Sequence, residues 1–407
     1  MLDRQYDCII IGAGPAGLFC AAQLAPVRVL VLEKMVLPGR KLLIAGSGQC
    51  NITHAGDVKS FTEHYGDHGA FLRPALMAFP NTSVLTYFEG RGISFVEKEL
   101  GKVFPASLSA DDILDALLDA CDEAGTEILS YTPAEMVSFD DGMYAVKTLH
   151  GTYYAKVLVL ATGGKSYPQT GSMGDGFTFA EALGHSVAEP HPSLAPVYVS
   201  DHRLADLSGI SIPGAAVSVW RGGKKLFVRF GDLLITRFGY SGPVILDAAR
   251  WMRAGDQLRI AFSPKKAEEL DVLIRAACTA SGTKQVQNLL DDAGCPDRLT
   301  KQIVKESGIP EGTVGAQLTA AMRSRLVGNF TAYPVEIDHV GDFRVAMATA
   351  GGVMLDEINK KTCESKIAPG LFCIGEVLDV DGDTGGYNLQ ACFSTAFLAA
   401  QRIRQIL

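Results

Sequence analysis

The sequence has nine cysteines but no Cys-x-x-Cys pair. An odd number of thiols scattered through apolar stretches argues against a disulfide framework and reads as reduced cysteines in a reducing compartment. No run of Lys and Arg exceeds two residues, and the formal net charge is −8. Neither nucleic acid nor an anionic membrane is therefore expected as a partner. No apolar run reaches membrane-spanning length. Asp3, Arg4 and Asp7 break up the start of the chain, so no export signal is read and the cytoplasm is the expected compartment. The eight histidines lack metal-ligand spacing, and none sits in a nucleophile triad pattern. His191 and His339 read as structural, and no metal is expected.

Glycine, by contrast, is plentiful. The 43 glycines exceed the usual share of about 7% and gather in a few loops, as backbones do where they approach a ligand closely. The 407 residues suffice for two or three domains. Near the start, Asp7-Cys8-Ile9-Ile10-Ile11 reads as a buried strand. It leads into Gly12-Ala13-Gly14-Pro15-Ala16-Gly17, an alanine-rich helix, and a second strand ending at Leu32-Glu33. In such a turn the first glycine permits the reversal, the second admits a pyrophosphate and the third lets helix pack on strand. The helix N-terminus then offers N–H groups to the phosphates. Glu33, 21 residues past Gly12, is placed to accept from ribose hydroxyls and disfavours a 2′-phosphate.

Near the other end, Leu371-Phe372-Cys373-Ile374-Gly375-Glu376 reads as another strand, followed by Asp381-Gly382-Asp383-Thr384-Gly385-Gly386-Tyr387-Asn388 and a last helix beginning near Asn388. A plain NAD domain needs only the first half, whereas an FAD domain is commonly closed by a returning segment. The pairing therefore predicts FAD, with Glu376 near the ribityl chain and the last helix stabilising negative charge at the N1/C2=O edge of the reduced flavin. Two decoys fail. Asp379-x-Asp381-x-Asp383 lacks the glycine and closing glutamate of a calcium loop. Gly164-Lys165-Ser166 has Val159 where a phosphate loop needs its first glycine.

The predicted organisation is α/β. A discontinuous Rossmann-like FAD-binding domain covers 1–194 and 347–407, with a β-rich insertion over 195–262 and 327–346 and a helical insertion over 263–326. Helical patterns fall at 70–90 and 109–124, and short strands run through 127–160 with a turn at Asp140-Asp141-Gly142. Gly39 to Asn51 is too punctuated for a long helix. Arg40 and Lys41 are placed to neutralise the pyrophosphate; the alternative is a solvated pair capping the preceding element. Cys50 reads as an ordinary buried thiol.

The segments Gly39-Arg40-Lys41-Leu42-Leu43, Gly46-Ser47-Gly48-Gln49-Cys50-Asn51, Ala161-Thr162-Gly163-Gly164, Thr170 to Gly176, Ser241-Gly242-Pro243 and Gly375 to Gln390 resemble those of the BaiN/YhiN-like flavoproteins. That family is often labelled aminoacetone oxidase-like and is related in fold to fumarate reductase and glutathione reductase flavoproteins. The resemblance spans nearly the whole chain. It implies FAD bound across both ends, with Glu33 and Lys34 at the adenosine side and Arg40 and Lys41 near the phosphates. It also implies backbone contacts around Val137 to the adenine, flavin contacts from Asn51 and from Asn388, Leu389 and Gln390, and further cofactor contacts from Ser47, Gln49, Cys50, Thr162, Gly163, Gly164 and Gly386. Two positions depart from the family pattern. Gln49 stands where relatives usually have arginine, and Arg237 where they often have histidine. Some members are credited with reducing ring enones, and others are described as amine oxidases.

The expected activity is an FAD-dependent oxidoreduction between flavin N5 and a small organic substrate, favoured as reduction of an activated C=C bond. No second Gly-x-Gly-x-x-Gly unit occurs, so NAD(P)H would visit as a transient donor. The competing readings are an oxygen-using amine oxidase and a partner-dependent or structural FAD protein awaiting a redox partner. Arg237 and Ser241 are the catalytic candidates.

Overall fold

The computed structural model describes residues 4–290 and 293–407. The chain divides into two units, one comprising everything up to Ser193 plus Phe343–Leu407, the other Leu194–Asp342. The sequence boundaries, 194/195 and 346/347, fall one residue late and four residues late. Phe343 belongs with the first unit because its carbonyl accepts the Tyr167 N–H at 2.8 Å.

The first unit is built on a seven-stranded sheet. Strands β1 (Gln5–Ile11) and β2 (Val29–Leu32) are continuous apolar runs, buried through Cys8–Ile11 and Val29–Leu32, as parallel strands covered on both faces must be. Between them lies helix α1 (Pro15–Ala22). Helix α2 (Ala110–Glu123) starts at Ser109, whose hydroxyl accepts the Asp111 N–H, and its buried side includes Ile113, Leu114, Leu117 and Cys121. Strand β3 (Glu127–Leu129) then pairs with β2 in parallel.

Strands β4 (Ala134–Asp140) and β5 (Met143–Thr148) form a hairpin. Asp141 (φ +47°) and Gly142 (φ +76°) form its turn, the double positive φ that matches strand twist. Strand β6 (Gly151–Leu160) pairs with β5 through Gly151–Ala155, with β1 along its length, and with Leu371–Cys373 through Leu158–Leu160. The order is β3-β2-β1-β6-β5-β4, with Leu371–Cys373 also against β6. The helical stretch 70–90 is two helices, Gly69–Ala78 and Asn81–Glu89. Pro80 interrupts it because proline has no N–H to continue the ladder. The C-terminal helix Tyr387–Ile406 packs along α1, with Phe19 and Phe393 rings edge-to-face at 5.4 Å.

In the second unit a long hairpin, β7 (Ser211–Arg221) with β8 (Lys224–Ile235), pairs onward to β9 (Gln257–Ala261) and β10 (Tyr333–Glu336). The helices Ala267–Ala280, Asp297–Glu306 and Ala320–Thr331 are not a subdomain apart. Their Leu270, Ile274, Leu299, Ile303, Leu326 and Phe330 share one core with Val217, Val219, Leu258 and Ile260 of the sheet. The last helix also runs to Thr331, beyond the expected return to strand at 327. Leu326, Val327 and Phe330 are buried, and the next strand begins only at Tyr333.

Candidate functional site

The three glycines of the first turn serve three different steric needs. Gly12 has φ +106°, and a Cβ there would lie 2.5 Å from the Ala161 carbonyl oxygen. A Cβ on Gly17 would lie 2.0 Å from the Gly12 oxygen, so only glycine lets α1 sit against the turn. Gly14 has ordinary extended backbone, and a Cβ on it would meet nothing within 4 Å. That open approach above a helix N-terminus is the space a pyrophosphate requires. The first bond into the helix is Leu18 N–H to Gly14 O, which leaves the Ala16 and Gly17 N–H groups without an intrahelical acceptor. Pro15 at the first helical position has no N–H to satisfy.

Glu33 grips this turn. Its Oε2 accepts the Ala13 N–H at 3.0 Å and its Oε1 the Met35 N–H at 2.7 Å. Burial raises its carboxyl above the usual range, against the lowering effect of those two N–H bonds. Each oxygen keeps a lone pair for a hydroxyl donor. The Lys34 ammonium pairs with Asp175 at 2.5 Å. Val137 lies in β4, its side chain buried and its backbone opposite Val146, at the other end of the strand order from β2. The segment just before β4 is what meets Glu33: Thr132 N–H donates to the Glu33 carbonyl at 2.8 Å and Tyr131 N–H to that of Met35 at 3.0 Å.

The far end of the chain arrives beside α1. A Cβ on Gly375 would lie 3.0 Å from the Ala16 Cβ. Glu376 then enters a polar cluster that the sequence does not announce. Its Oε2 accepts from Lys41 Nζ at 2.6 Å, and its Oε1 from Ser166 Oγ at 3.0 Å and the Thr349 N–H at 2.8 Å. Lys41 also reaches Ser166 Oγ at 2.9 Å. Gly164 permits this closeness, since a Cβ there would lie 2.4 Å from Thr349 Oγ1. Lys41 is thus paired with Glu376 and Ser166 within the protein. Arg40 is exposed and has no side-chain partner among the described residues. Ser166 belongs to the very tripeptide set aside as a phosphate-loop decoy. Thr349 lies in an all-buried strand of small residues, which carries no local signal. Thr162 packs against Gly176, where a Cβ would lie 2.0 Å from its hydroxyl, and Gly163 turns with φ +70°.

The loop expected at the flavin is clamped to the C-terminal helix. With its amide assigned the orientation that satisfies its neighbours, Asn51 donates to Thr53 O at 3.0 Å and Val103 O at 3.2 Å, and accepts the Gly386 N–H at 3.1 Å. Asn388 bridges Gly382, accepting its N–H at 2.8 Å and donating to its carbonyl at 2.9 Å. Gln390 is fully buried, accepting from Thr53 Oγ1 at 2.6 Å and donating to Phe79 O at 2.9 Å. All three amides have partners within the chain. What the helix start presents is backbone, because the first bond into it is Gln390 N–H to Gly386 O. The Asn388 and Leu389 N–H groups precede that bond.

The Tyr387 ring at this helix start stacks on His64 at 4.1 Å and on His54 at 5.2 Å. His64 Nδ1 lies 3.2 Å from Asp383. None of these rings was singled out by sequence. Ser47 is exposed with φ +59°, and Gln49 accepts from Lys98 at 2.9 Å.

Cys50 is fully buried, and burial pushes its thiol up to about 12. At about pH 8 its reactive thiolate is then on the order of one part in ten thousand. Cys50→Ala is expected to keep its FAD content, and iodoacetamide to leave Cys50 of the native protein unmodified. Rapid alkylation at Cys50 in a peptide map would contradict this.

Arg237 and Ser241 lie in the second unit. Arg237 is exposed, its guanidinium 5.6 Å from the Phe238 ring, and Ser241 pairs with Leu234 in a short strand. Among the described residues no three His, Cys, Asp or Glu side chains gather as metal ligands, and no helix is long and apolar enough to cross a membrane.

The family model described as HI0933-like protein Rossmann domain matches residues 6–402. This chain belongs to the HI0933-like family. It is a family of FAD-dependent Rossmann oxidoreductases, the BaiN/YhiN type, and the open approach at Gly14, the hold of Glu33 and the two helix starts fit that cofactor. A ribosomal RNA dihydrouridine synthase of Haemophilus influenzae is 33% identical over 99% of this chain and 99% of its own length. A 3-dehydro-bile acid delta(4,6)-reductase of Clostridium scindens is 27% identical over 96% of this chain and 97% of its own. A 3-ketosteroid-delta4-(5alpha)-dehydrogenase from Rhodococcus jostii, solved with 4-androstene-3,17-dione, matches with TM-score 0.52 at 15% identity over 98% of this chain and 97% of that one. At that identity the likeness is one of fold.

Proposed function

We propose that this HI0933-like protein reduces the C5=C6 bond of a uridine in ribosomal RNA to dihydrouridine, with NAD(P)H as the electron source. The observation that carries the reading is the end-to-end relation to a ribosomal RNA dihydrouridine synthase. The chemistry agrees with the activated C=C expected from sequence. The uracil C5=C6 bond is conjugated to the C4 carbonyl, as the double bonds of a 3-dehydro-bile acid are conjugated to theirs. An RNA substrate here takes the place of the small molecule expected from the acidic overall charge.

FAD, when bound and reduced by NAD(P)H, would supply the hydride from N5. The substrate gains that hydride at C6 and a proton at C5, and one NAD(P)H is oxidised per uridine reduced. The chain's own part is to hold and polarise. Glu33 accepts from ribose hydroxyls while anchoring the glycine turn. The Ala16 and Gly17 N–H groups meet the phosphates. The Asn388 and Leu389 N–H groups, at the positive end of a 20-residue helix, favour negative charge on the ring edge.

The test is anaerobic mixing of the yellow protein with NADH and then NADPH, followed by addition of ribosomal RNA lacking the modification. The expected result is bleaching of the flavin bands by one nucleotide, then dihydrouridine in the digested RNA by mass spectrometry. A flavin that ignores both nucleotides but is bleached by an amine, and is then reoxidised on admitting air with release of peroxide, would replace this reading by the oxidase one.

A further inference from the structure

The acidic charge of the chain conceals a basic region. Residues 194–342 carry 18 Lys and Arg against 16 Asp and Glu, while the whole chain carries 37 against 45. Within 221–266 the count is ten against three, and one of the three, Asp256, is buried and paired with Arg221. Of these cations Lys224, Lys225 and Arg229 lie in β8 and Arg259 in β9, whose register sets the side chains they present. Val217, Val219, Leu258 and Ile260 point into the core. The alternate positions therefore share the opposite face: Ser218 and Trp220 of β7, Val228 and Phe230 of β8, and Arg259 of β9.

That face is an unusual one to leave in water. Phe230 is 77% exposed. The Arg259 guanidinium lies 3.9 Å from the Trp220 ring centroid, and the indole N–H is held by Ser218 Oγ at 2.9 Å. Lys224 and Lys225 stand exposed at the hairpin end.

Resting on the proposed RNA reduction, we infer that the outer face of β7, β8 and β9 is a docking platform for single-stranded RNA. Open sheet faces bearing aromatic rings and planar guanidinium groups stack unpaired bases, while flanking lysines neutralise the backbone. The aromatic Phe230, the stacked Trp220–Arg259 plane and the lysine pair supply both parts. Arg259, Lys224 and Lys225 outweigh Glu336, which joins this face opposite Gln257, and favour a polyanion over an uncharged partner.

The test measures anisotropy of a labelled oligouridylate of about ten nucleotides on the FAD-loaded protein and two surface variants, Phe230→Ser and Lys224→Gln/Lys225→Gln. Both alter exposed side chains, and FAD content and the far-ultraviolet spectrum report the fold. Phe230→Ser is expected to weaken binding about tenfold. The double lysine variant is expected to flatten the logarithmic salt slope by about 1.4, at ~0.7 per single-strand phosphate. Unchanged affinity in both variants overturns the inference, as does a wild-type protein that does not bind the oligonucleotide. It is also overturned if Phe230→Ser dissolves a dimer and leaves RNA affinity intact, which would assign the face to a second copy. Dihydrouridine formation separates the two readings. Affinity lost in the variants while the wild type reduces no RNA keeps the platform and removes the reaction. Reduction with unchanged affinity does the reverse.

Discussion

A Gly14→Val protein is expected to purify colourless and yet remain folded. Gly14 is the one glycine of the fingerprint whose added Cβ meets no neighbour. Its φ of −81° and ψ of −179° suit any residue, so the apoprotein has no reason to distort. The side chain would instead stand where phosphate oxygens must approach the first turn of α1. Losing that approach is expected to weaken FAD binding ~100-fold, about 2.7 kcal/mol. Gly17→Ala makes the contrast. Its Cβ would lie 2.0 Å from a backbone oxygen, so helix and turn must separate and the first unit should melt early or fail to fold. Flavin absorbance of the purified proteins together with circular dichroism melts checks both. A yellow Gly14→Val protein with full FAD content would mean that the dinucleotide does not cross this turn.

Glu376→Ala should be the most damaging single change outside the glycine turn. It removes the acceptor of the buried Thr349 N–H, of the buried Ser166 hydroxyl and of the Lys41 ammonium in one step. One orphaned buried donor costs about 1–3 kcal/mol, and an unpaired ammonium adds to that. Lys41 keeps a quarter of its side-chain surface in water, which limits the addition, so a loss of ~3 kcal/mol is expected. Lys41→Met in the Glu376→Ala background should return part of it, because the stranded charge goes with it. Denaturant unfolding of the four proteins of the cycle measures the coupling. If the two single losses simply add, the pair is not held together as the distances indicate.

Much of the first unit was legible because its signals are local. Buried parallel strands are continuous apolar runs, and the glycine turn is dictated by contacts within a few residues of itself. Glu33 falls at a strand end that the turn already locates. The Asp141-Gly142 hairpin was legible for the same reason. Lys41 and Glu376, by contrast, lie 335 positions apart, and nothing in either neighbourhood says that the other will neutralise it. Gln390 reads as a ligand contact by resemblance, and only the structure shows that its amide also holds Phe79 and Thr53. An amide letter in a sequence does not reveal whether its partner is a ligand or a neighbouring backbone.

The helices after residue 263 also look self-contained in sequence, since an amphipathic face shows that it must be covered but not by what. The outer face of the hairpin is a similar case. Its cations are diluted along 46 residues of an acidic chain, and only strand register brings ring and guanidinium into one plane. By itself the sequence determined the glycine turn, the acid that serves it and the returning strand, because backbone sterics act over short distances. The tertiary structure decided which charges are spent internally and which face water, because those outcomes depend on pairings between segments that only the folded chain brings together.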